Sequence, residues 1–144
     1  MASDGVKIRR MNEADLPRVE EIDRLLFGKE RVSSWAFAVE AFWQAHRPTL
    51  NFVAELNGEV VGFLLGGIRR ARRMVPLVGC IDIMGVHPDY QHNGIGRRLV
   101  EAFWEECGRS SATASVSIKK NDKQLRKFFT ALGFRERDLV TFEK

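Results

Sequence analysis

The stretch Gln91-His92-Asn93-Gly94-Ile95-Gly96 decides the fold of this chain. Its pattern is Q-x-x-G-x-G. An apolar run, Val78-Gly79-Cys80-Ile81-Asp82-Ile83-Met84-Gly85-Val86, precedes it. Behind it Ile95, Leu99, Val100, Phe103 and Trp104 recur at helical spacing. The hexapeptide therefore sits on a strand-to-loop-to-helix junction. Two glycines let successive backbone N–H groups turn toward one point. The first turn of the helix adds N–H groups without internal partners and the positive end of the helix dipole. Such a junction suits a phosphate or pyrophosphate, and Arg97 and Arg98 in its first turn favour an anion. The pattern lacks the Lys-Ser/Thr ending of a P-loop and the third glycine of the dinucleotide fingerprint.

Upstream, Asn57-Gly58 separates two apolar runs, Asn51 to Leu56 and Glu59 to Ile68, which reads as a hairpin. Val6 to Arg10 alternates as a first strand. Asn12 or Asp15 caps a helix with Pro17 near its start, with Leu16, Val19, Ile22 and Leu26 on one face and Gly28 at its end. A polar connection from Lys29 to Ser34 leads to a second helix capped by Ser33 or Ser34. That helix carries Trp35, Val39, Phe42 and Trp43 and stops before Pro48. Arg69, Arg70, Arg72 and Arg73 form a basic turn.

Downstream, the helix after the glycine loop runs to about Cys107, with Gly108 as its C-cap. Ala112 to Ile118 alternates as a strand. Asp122 opens a last helix with Leu125, Phe128, Phe129 and Leu132 on its inner face; Gly133 ends it, and Phe134 to Phe142 returns as a strand. The order β-α-α-β-β-β-α-β-α-β predicts an α/β fold with one mixed central sheet and helices on both faces. With no linker, repeat or low-complexity segment, residues 1–144 read as a single domain.

At 144 residues, 44% hydrophobic and 29% charged, the chain has the balance of a soluble globular protein with a proper core. No apolar run is long enough to span a bilayer, and the start, Met-Ala-Ser-Asp-Gly, carries no secretory signal. Two cysteines, Cys80 and Cys107, suggest neither a disulfide framework nor a metal site, which makes a reducing cytoplasm the default. The net charge of +4 suits an anionic ligand. Basic residues fall in short clusters without interleaved aromatics, so no nucleic acid is expected as a partner.

The run Ile81-Asp-Ile-Met-Gly-Val-His-Pro-Asp-Tyr-Gln-His-Asn-Gly-Ile-Gly-Arg-Arg-Leu-Val100 resembles motif A of the GNAT superfamily of acyl-CoA-dependent N-acetyltransferases, down to the strand ending in Val86-His87-Pro88. Asp122 to Phe134 resembles the family's N-x-x-A-x-x-L-Y-x-x-x-G-F, and the element order is similar to the family's over nearly the whole chain. Before residue 50 the likeness is one of topology, weakly toward the ribosomal-protein N-terminal acetyltransferase branch.

The resemblance implies that Gln91, His92, Asn93, Gly94, Ile95, Gly96 and Arg97 hold the pyrophosphate of coenzyme A. It implies that the motif A strand parts from its neighbour, so that Met84, Gly85 and Val86 offer backbone groups to the pantetheine arm. An N–H near Met84 would steady an oxyanion there. Gly85 fits a bulge or a close approach. Asp122 stands where relatives have an Asn touching the arm, although an Asp accepts without donating; its plain role is a helix N-cap.

An amine must lose its proton before it attacks a thioester. The family's usual acid and base stations are filled here by Phe129, Ser117 and Cys80. Phe129 would then be an apolar wall beside the cofactor's sulfur. Asp82, two residues from Cys80 and on the same face of its strand, is the candidate proton acceptor, directly or through a water. Burial among Ile81, Ile83 and neighbouring strands would make it a better base near neutral pH. The alternative is an ion pair with an arginine of the basic turn. His87 and His92 read as surface or turn residues and Tyr90 as a packing aromatic.

The function implied is transfer of acetyl from acetyl-CoA to a primary amine by direct attack in a ternary complex. The acceptor is a small molecule, a peptide N-terminus or a lysine; no membrane partner is expected, and a homodimer is compatible with the sequence. The alternatives are an acyl-CoA-binding regulatory module and, at longer odds, a basic nucleic-acid-binding module.

Overall fold

The computed structural model describes residues 5–28, 50–70 and 76–144. The helix read between Ser33 and Pro48, the Lys29 to Ser34 connection, and Arg72 and Arg73 lie outside the described residues. Val6–Arg10 (β1), Phe52–Leu56 (β2), Glu59–Arg69 (β3), Val78–Val86 (β4) and Thr113–Val116 (β5) form one sheet in the order β1-β2-β3-β4-β5. The first four are antiparallel neighbours, and β5 runs parallel to β4. Leu16–Phe27 (α1), Ile95–Arg109 (α2) and Lys123–Ala131 (α3) complete the described elements of regular length.

The helices cover both faces of the sheet. Val61, Leu64 and Ile81 pack with Leu99, Val100 and Phe103 of α2. Val60, Phe63 and Leu65 pack with Val19 and Ile22 of α1 on the other face. The α2 helix lies close because β3 has glycine beneath it. A Cβ on Gly66 would stand 2.7 Å from Phe103 Cε2 and 2.5 Å from the Cys80 carbonyl oxygen. The β2–β3 hairpin turns on Asn57 and Gly58 at φ 52° and 80°, both left-handed as a type I′ turn requires.

Before α1, the Asp15 carboxylate accepts the Asn12 N–H at 2.8 Å and binds Arg9 of β1 at 2.8 and 2.9 Å. The Arg9 hydrogen bond outweighs burial and holds Asp15 below the ordinary carboxylate range. At the other end of the chain, α3 starts with the Asp122 carboxylate accepting the Leu125 N–H at 3.0 Å. It ends with Gly133 at φ 92°. The Gly133 and Phe134 N–H groups reach Thr130 and Phe129 carbonyls, each at 3.0 Å, the pairing of a Schellman motif.

Several expectations are corrected. Phe134 to Phe142 forms no strand: Leu139, Val140 and Phe142 are 79%, 79% and 92% exposed. Alternation marks a capacity for pairing, but the four residues of β5 offer only a short edge. Phe134 instead turns back onto Phe129. Gly108 is not a C-cap. The helix runs through it to Arg109, and Ser111 takes the left-handed φ of 56°. The Ala112 N–H then returns to the Cys107 carbonyl at 2.8 Å. Ala112 to Ile118 shortens to Thr113–Val116, and Leu125 and Trp104 face outward, 38% and 62% exposed.

The bulge allowed for at Gly85 lies at Asp82 instead. Leu65 pairs with Ile83 and Gly66 with Ile81, which leaves Asp82 as an extra residue on β4. The side-chain alternation inverts there: Ile81 belongs to the α2 side and Ile83 to the α1 side. Gly85 is the close approach. A Cβ there would stand 2.6 Å from Leu26 Cδ1 and 3.1 Å from Phe63 Cε1.

Candidate functional site

The β4–β5 ladder runs only from the Val78/Thr113 pair to the Ile81/Val116 pair. From Ile83 to Val86, β4 continues in register with β3 alone. Among the described residues a gap in the ladder therefore opens beside the second half of β4. The His87 N–H donates to the Val61 carbonyl on β3 at 2.8 Å. Backbone polar groups alternate in direction along a strand. Gly85 accordingly turns its N–H and C=O toward β3, while Met84 and Val86 turn theirs into the gap. Of the three backbone residues the sequence pointed to, two therefore face the opening.

The loop after β4 is tightly folded. Tyr90 N–H donates to the His87 carbonyl at 2.9 Å, closing the Pro88–Tyr90 turn. His87 Nδ1 accepts the Asp89 N–H at 3.1 Å, and its ring meets Tyr90 edge-on at 5.5 Å. These are the turn and packing roles read from the sequence. Gln91 Nε2 donates to the Val86 carbonyl at 3.0 Å, so the glutamine of the motif folds back onto the strand end. His92 and Gly94 take φ of 65° and 81°. Gly94 is the N-cap of α2, and Arg98 N–H to Gly94 carbonyl, at 3.1 Å, is the first helical bond. The N–H groups of Ile95, Gly96 and Arg97 thus have no acceptor within the helix. The Ile95 side chain is buried in the core, so its backbone is what it presents at the helix start.

Gly96 marks where loop, strand and last helix converge. A Cβ there would touch Phe128 Cζ at 3.5 Å and Met84 Cε at 3.8 Å. Phe128 was not singled out from the sequence as a site residue. Phe129, which was, is buried behind it, edge-on to Phe128 and Phe134 at 5.0 and 5.2 Å. Both aromatics fall on the inner half of α3, and spacing alone does not say which one lines the opening. The two first-turn arginines differ. Arg98 reaches across to the Val6 carbonyl of β1 at 2.6 Å. Arg97 is 66% exposed and pairs with Glu101 at 2.8 Å, a weak surface contact that leaves it free to turn. The Asp122 carboxylate serves as the α3 N-cap.

Cys80 and Asp82 lie on the α1 side of the sheet, opposite Ile81. Asp82 is exposed rather than buried. Nη2 of Arg69 bridges its two oxygens at 3.0 and 2.9 Å. The ion pair weighed beside the base role is therefore present. The Cys80 thiol lies beside the same guanidinium. Burial works against the Arg69 charge, but Asp82 and Cys80 together outweigh it and raise the guanidinium above its ordinary value. Ser117 lies past the end of β5 and is exposed. Burial pushes the Cys107 thiol up to about 11, which leaves it protonated and inert at neutral pH. Among the described residues, no group of three or more His, Cys, Asp or Glu could hold a metal ion, and no helix is long and apolar enough to cross a membrane.

The acetyltransferase (GNAT) family profile matches residues 16–134. The chain is 28% identical over 136 residues to an uncharacterized N-acetyltransferase of Methanocaldococcus jannaschii, spanning 92% of this chain and 80% of that protein. It is 28% identical over 100 residues to an acetyltransferase of Pectobacterium atrosepticum, spanning 69% and 67%. The fold is similar to that of aminoglycoside N-acetyltransferase AAC(6')-Iy in complex with CoA, with a TM-score of 0.82 at 21% identity over 96% and 93% of the two chains. It is also similar to an aminoglycoside acetyltransferase from an uncultured soil metagenomic sample in complex with sisomicin, with a TM-score of 0.77 at 22% identity over 100% and 98%. At these identities the structural matches establish a shared fold.

Proposed function

The chain belongs to the acetyltransferase (GNAT) family, and on that premise we propose that it moves acetyl from acetyl-CoA to a primary amine by direct attack in a ternary complex. One observation carries the reading: β4 leaves β5 after Ile81, and the freed strand leads through the folded loop from His87 to Gly94 into a helix start with N–H groups that lack a helical acceptor. The residues present fit the donor. The space a Cβ on Gly96 would fill, between Phe128 and Met84, opens a path from the helix start to the gap.

Acetyl-CoA, when bound, supplies an activated acyl group and a thiol leaving group of ordinary pKa about 8.5, which needs no strong acid to depart. The chain's own residues do the rest. The N–H groups of Ile95, Gly96 and Arg97 face the pyrophosphate, and Arg97 turns toward it. Gln91 fixes the loop by holding the Val86 carbonyl. The Met84 N–H faces the gap, where it can donate to a carbonyl oxygen that gains charge. Met84, Phe128 and Phe129 exclude water on the α2 side. The amine's proton passes to water beside the Asp82 carboxylate. Such positioning can lower a barrier by roughly 7–11 kcal/mol in the best cases.

For the acceptor, small-molecule polyamines come first in a screen, because a structure of similar fold holds sisomicin; peptide N-termini and lysines follow. We place the enzyme in the cytoplasm on the strength of its free thiols at Cys80 and Cys107, and take residues 1–144 as one domain because the described strands join one sheet. The test combines calorimetric titration with acetyl-CoA and release of free thiol in the presence of an amine panel. Saturable 1:1 binding and amine-dependent thiol release support the proposal. Binding without turnover across every amine class would leave an acyl-CoA-binding module, a reading favoured by the non-ionisable Phe129 and the exposed Ser117. Absence of binding would refute both.

A further inference from the structure

We propose that Arg69 is a positioning residue for acyl transfer, holding the bulge at Asp82 at which β4 departs from β5; the inference rests on the acetyl-CoA reading above. Three facts converge on one residue. The β4–β5 ladder ends at Ile81. The extra residue of β4 is the next one, Asp82. The side chain of that extra residue is held by Nη2 of Arg69, which contacts both carboxylate oxygens.

The bulge decides which groups face the gap. Side chains alternate along a strand, so an extra residue moves everything after it to the opposite face. With the bulge in place, Met84 packs on the α2 side, near Gly96 and Phe128, and Gly85 sits against Leu26 and Phe63. Without it, the Met84 side chain would be driven toward the α1 side, where a Cβ at the neighbouring position already lacks room. The extra residue has no partner of its own in the ladder to β3. Arg69, on β3 opposite Val78, reaches along the strand pair and ties the bulge to β3 through its side chain. This also gives the Asp82 carboxylate a cationic partner.

An ion pair with 38% and 28% of its side chains exposed adds little to global stability. A role in register therefore predicts a functional loss out of proportion to any change in Tm. The experiment uses Arg69→Gln, Asp82→Asn and Arg69→Lys. It reads acetyl-CoA affinity by calorimetry, amide exchange at Ile83 and Gly85 in the free protein, and Tm. Arg69→Gln and Asp82→Asn should each weaken acetyl-CoA binding about tenfold, with faster exchange at Ile83 and Gly85 and a small change in Tm. Arg69→Lys should recover most of the affinity, because an ammonium can still reach the carboxylate. Unchanged affinity and exchange in both charge-removing variants overturn the inference. Lost affinity with unchanged exchange overturns it as well, since Arg69 would then touch the donor itself. If the wild type fails to bind acetyl-CoA, the parent reading falls, and the exchange data alone still decide whether Arg69 holds the bulge.

Discussion

Substituting Gly96 by glutamate separates folding from binding at this site. Gly96 is the second residue of α2, after the N-cap Gly94 and Ile95. Its φ is not in the left-handed region, and a Cβ there makes ordinary contacts of 3.5 to 3.8 Å with Phe128 and Met84. A side chain is thus tolerated. Replacing glycine inside a helix gains about 0.5–1 kcal/mol, and a carboxylate near a helix N-terminus adds about 0.3–1 kcal/mol. The variant should be as stable as the wild type or more so. Its carboxylate, however, lies where the pyrophosphate is proposed to bind. At roughly 5 Å and an effective dielectric of about 40, each phosphate charge adds about 1.7 kcal/mol of repulsion. Two charges give about 3 kcal/mol, on the order of 10²-fold in Kd. Calorimetric titration with acetyl-CoA beside a thermal melt reads both effects. A folded Gly96→Glu protein with wild-type affinity would refute the placement of the pyrophosphate on this helix start.

Gly66→Ala should lower stability by about 1–3 kcal/mol or more, because its Cβ would meet the Cys80 carbonyl oxygen at 2.5 Å and neither strand can yield cheaply; an unmoved urea midpoint would contradict the seating of α2 on that glycine. Asp15 has its carboxyl pKa lowered on folding, so its contribution is full above the ordinary carboxylate value of 3.8 and is lost as pH falls below it. Asp15→Asn should accordingly cost about 1–3 kcal/mol at pH 7, and progressively less as pH is lowered from 3.8 through the depressed folded-state pKa, as read from urea unfolding at pH 7 and across the acid range. Phe129→Tyr, which restores the hydroxyl common in the family, should keep or raise turnover in the thiol-release assay. A large fall with acetyl-CoA binding intact would show that the apolar packing of Phe129 behind Phe128 matters more.

Signals that are local in the chain were legible. Asn57-Gly58 required positive φ at both residues and has it. The Gln91 to Gly96 loop required a strand before it and a helix after it, and both are present. Asp122 caps a helix through the next turn of its own backbone. What escaped the sequence depends on partners remote along the chain. Ile81-Asp82-Ile83 reads as plain alternation, and only the register against Leu65 and Gly66 reveals the bulge. Phe134 to Phe142 has the pattern of a strand but no ladder to join. Phe128 and Phe129 are indistinguishable by spacing, and the seating of α3 over Gly96 picks Phe128 for the opening. For Asp82, the sequence supplied both readings, and the reach of Arg69 from β3 supplies the ion pair.

The sheet is laid down in the order in which the chain is made. At a synthesis rate of about 5–20 residues per second, β2, β3 and β4 leave the ribosome before any residue of α2. During that interval Val61, Leu64 and Ile81 lack the cover of α2. A parallel strand needs its crossover first, so β5 joins only after α2 has docked. The cleft proposed for the donor is therefore bounded last, when α3 brings Phe128 over Gly96. A half-made chain has no place for the acyl donor, whereas a finished one gains RT ln(1 + [L]/Kd) from it. A rise in acetyl-CoA should thereby raise the stability of completed molecules while leaving half-made ones unaffected.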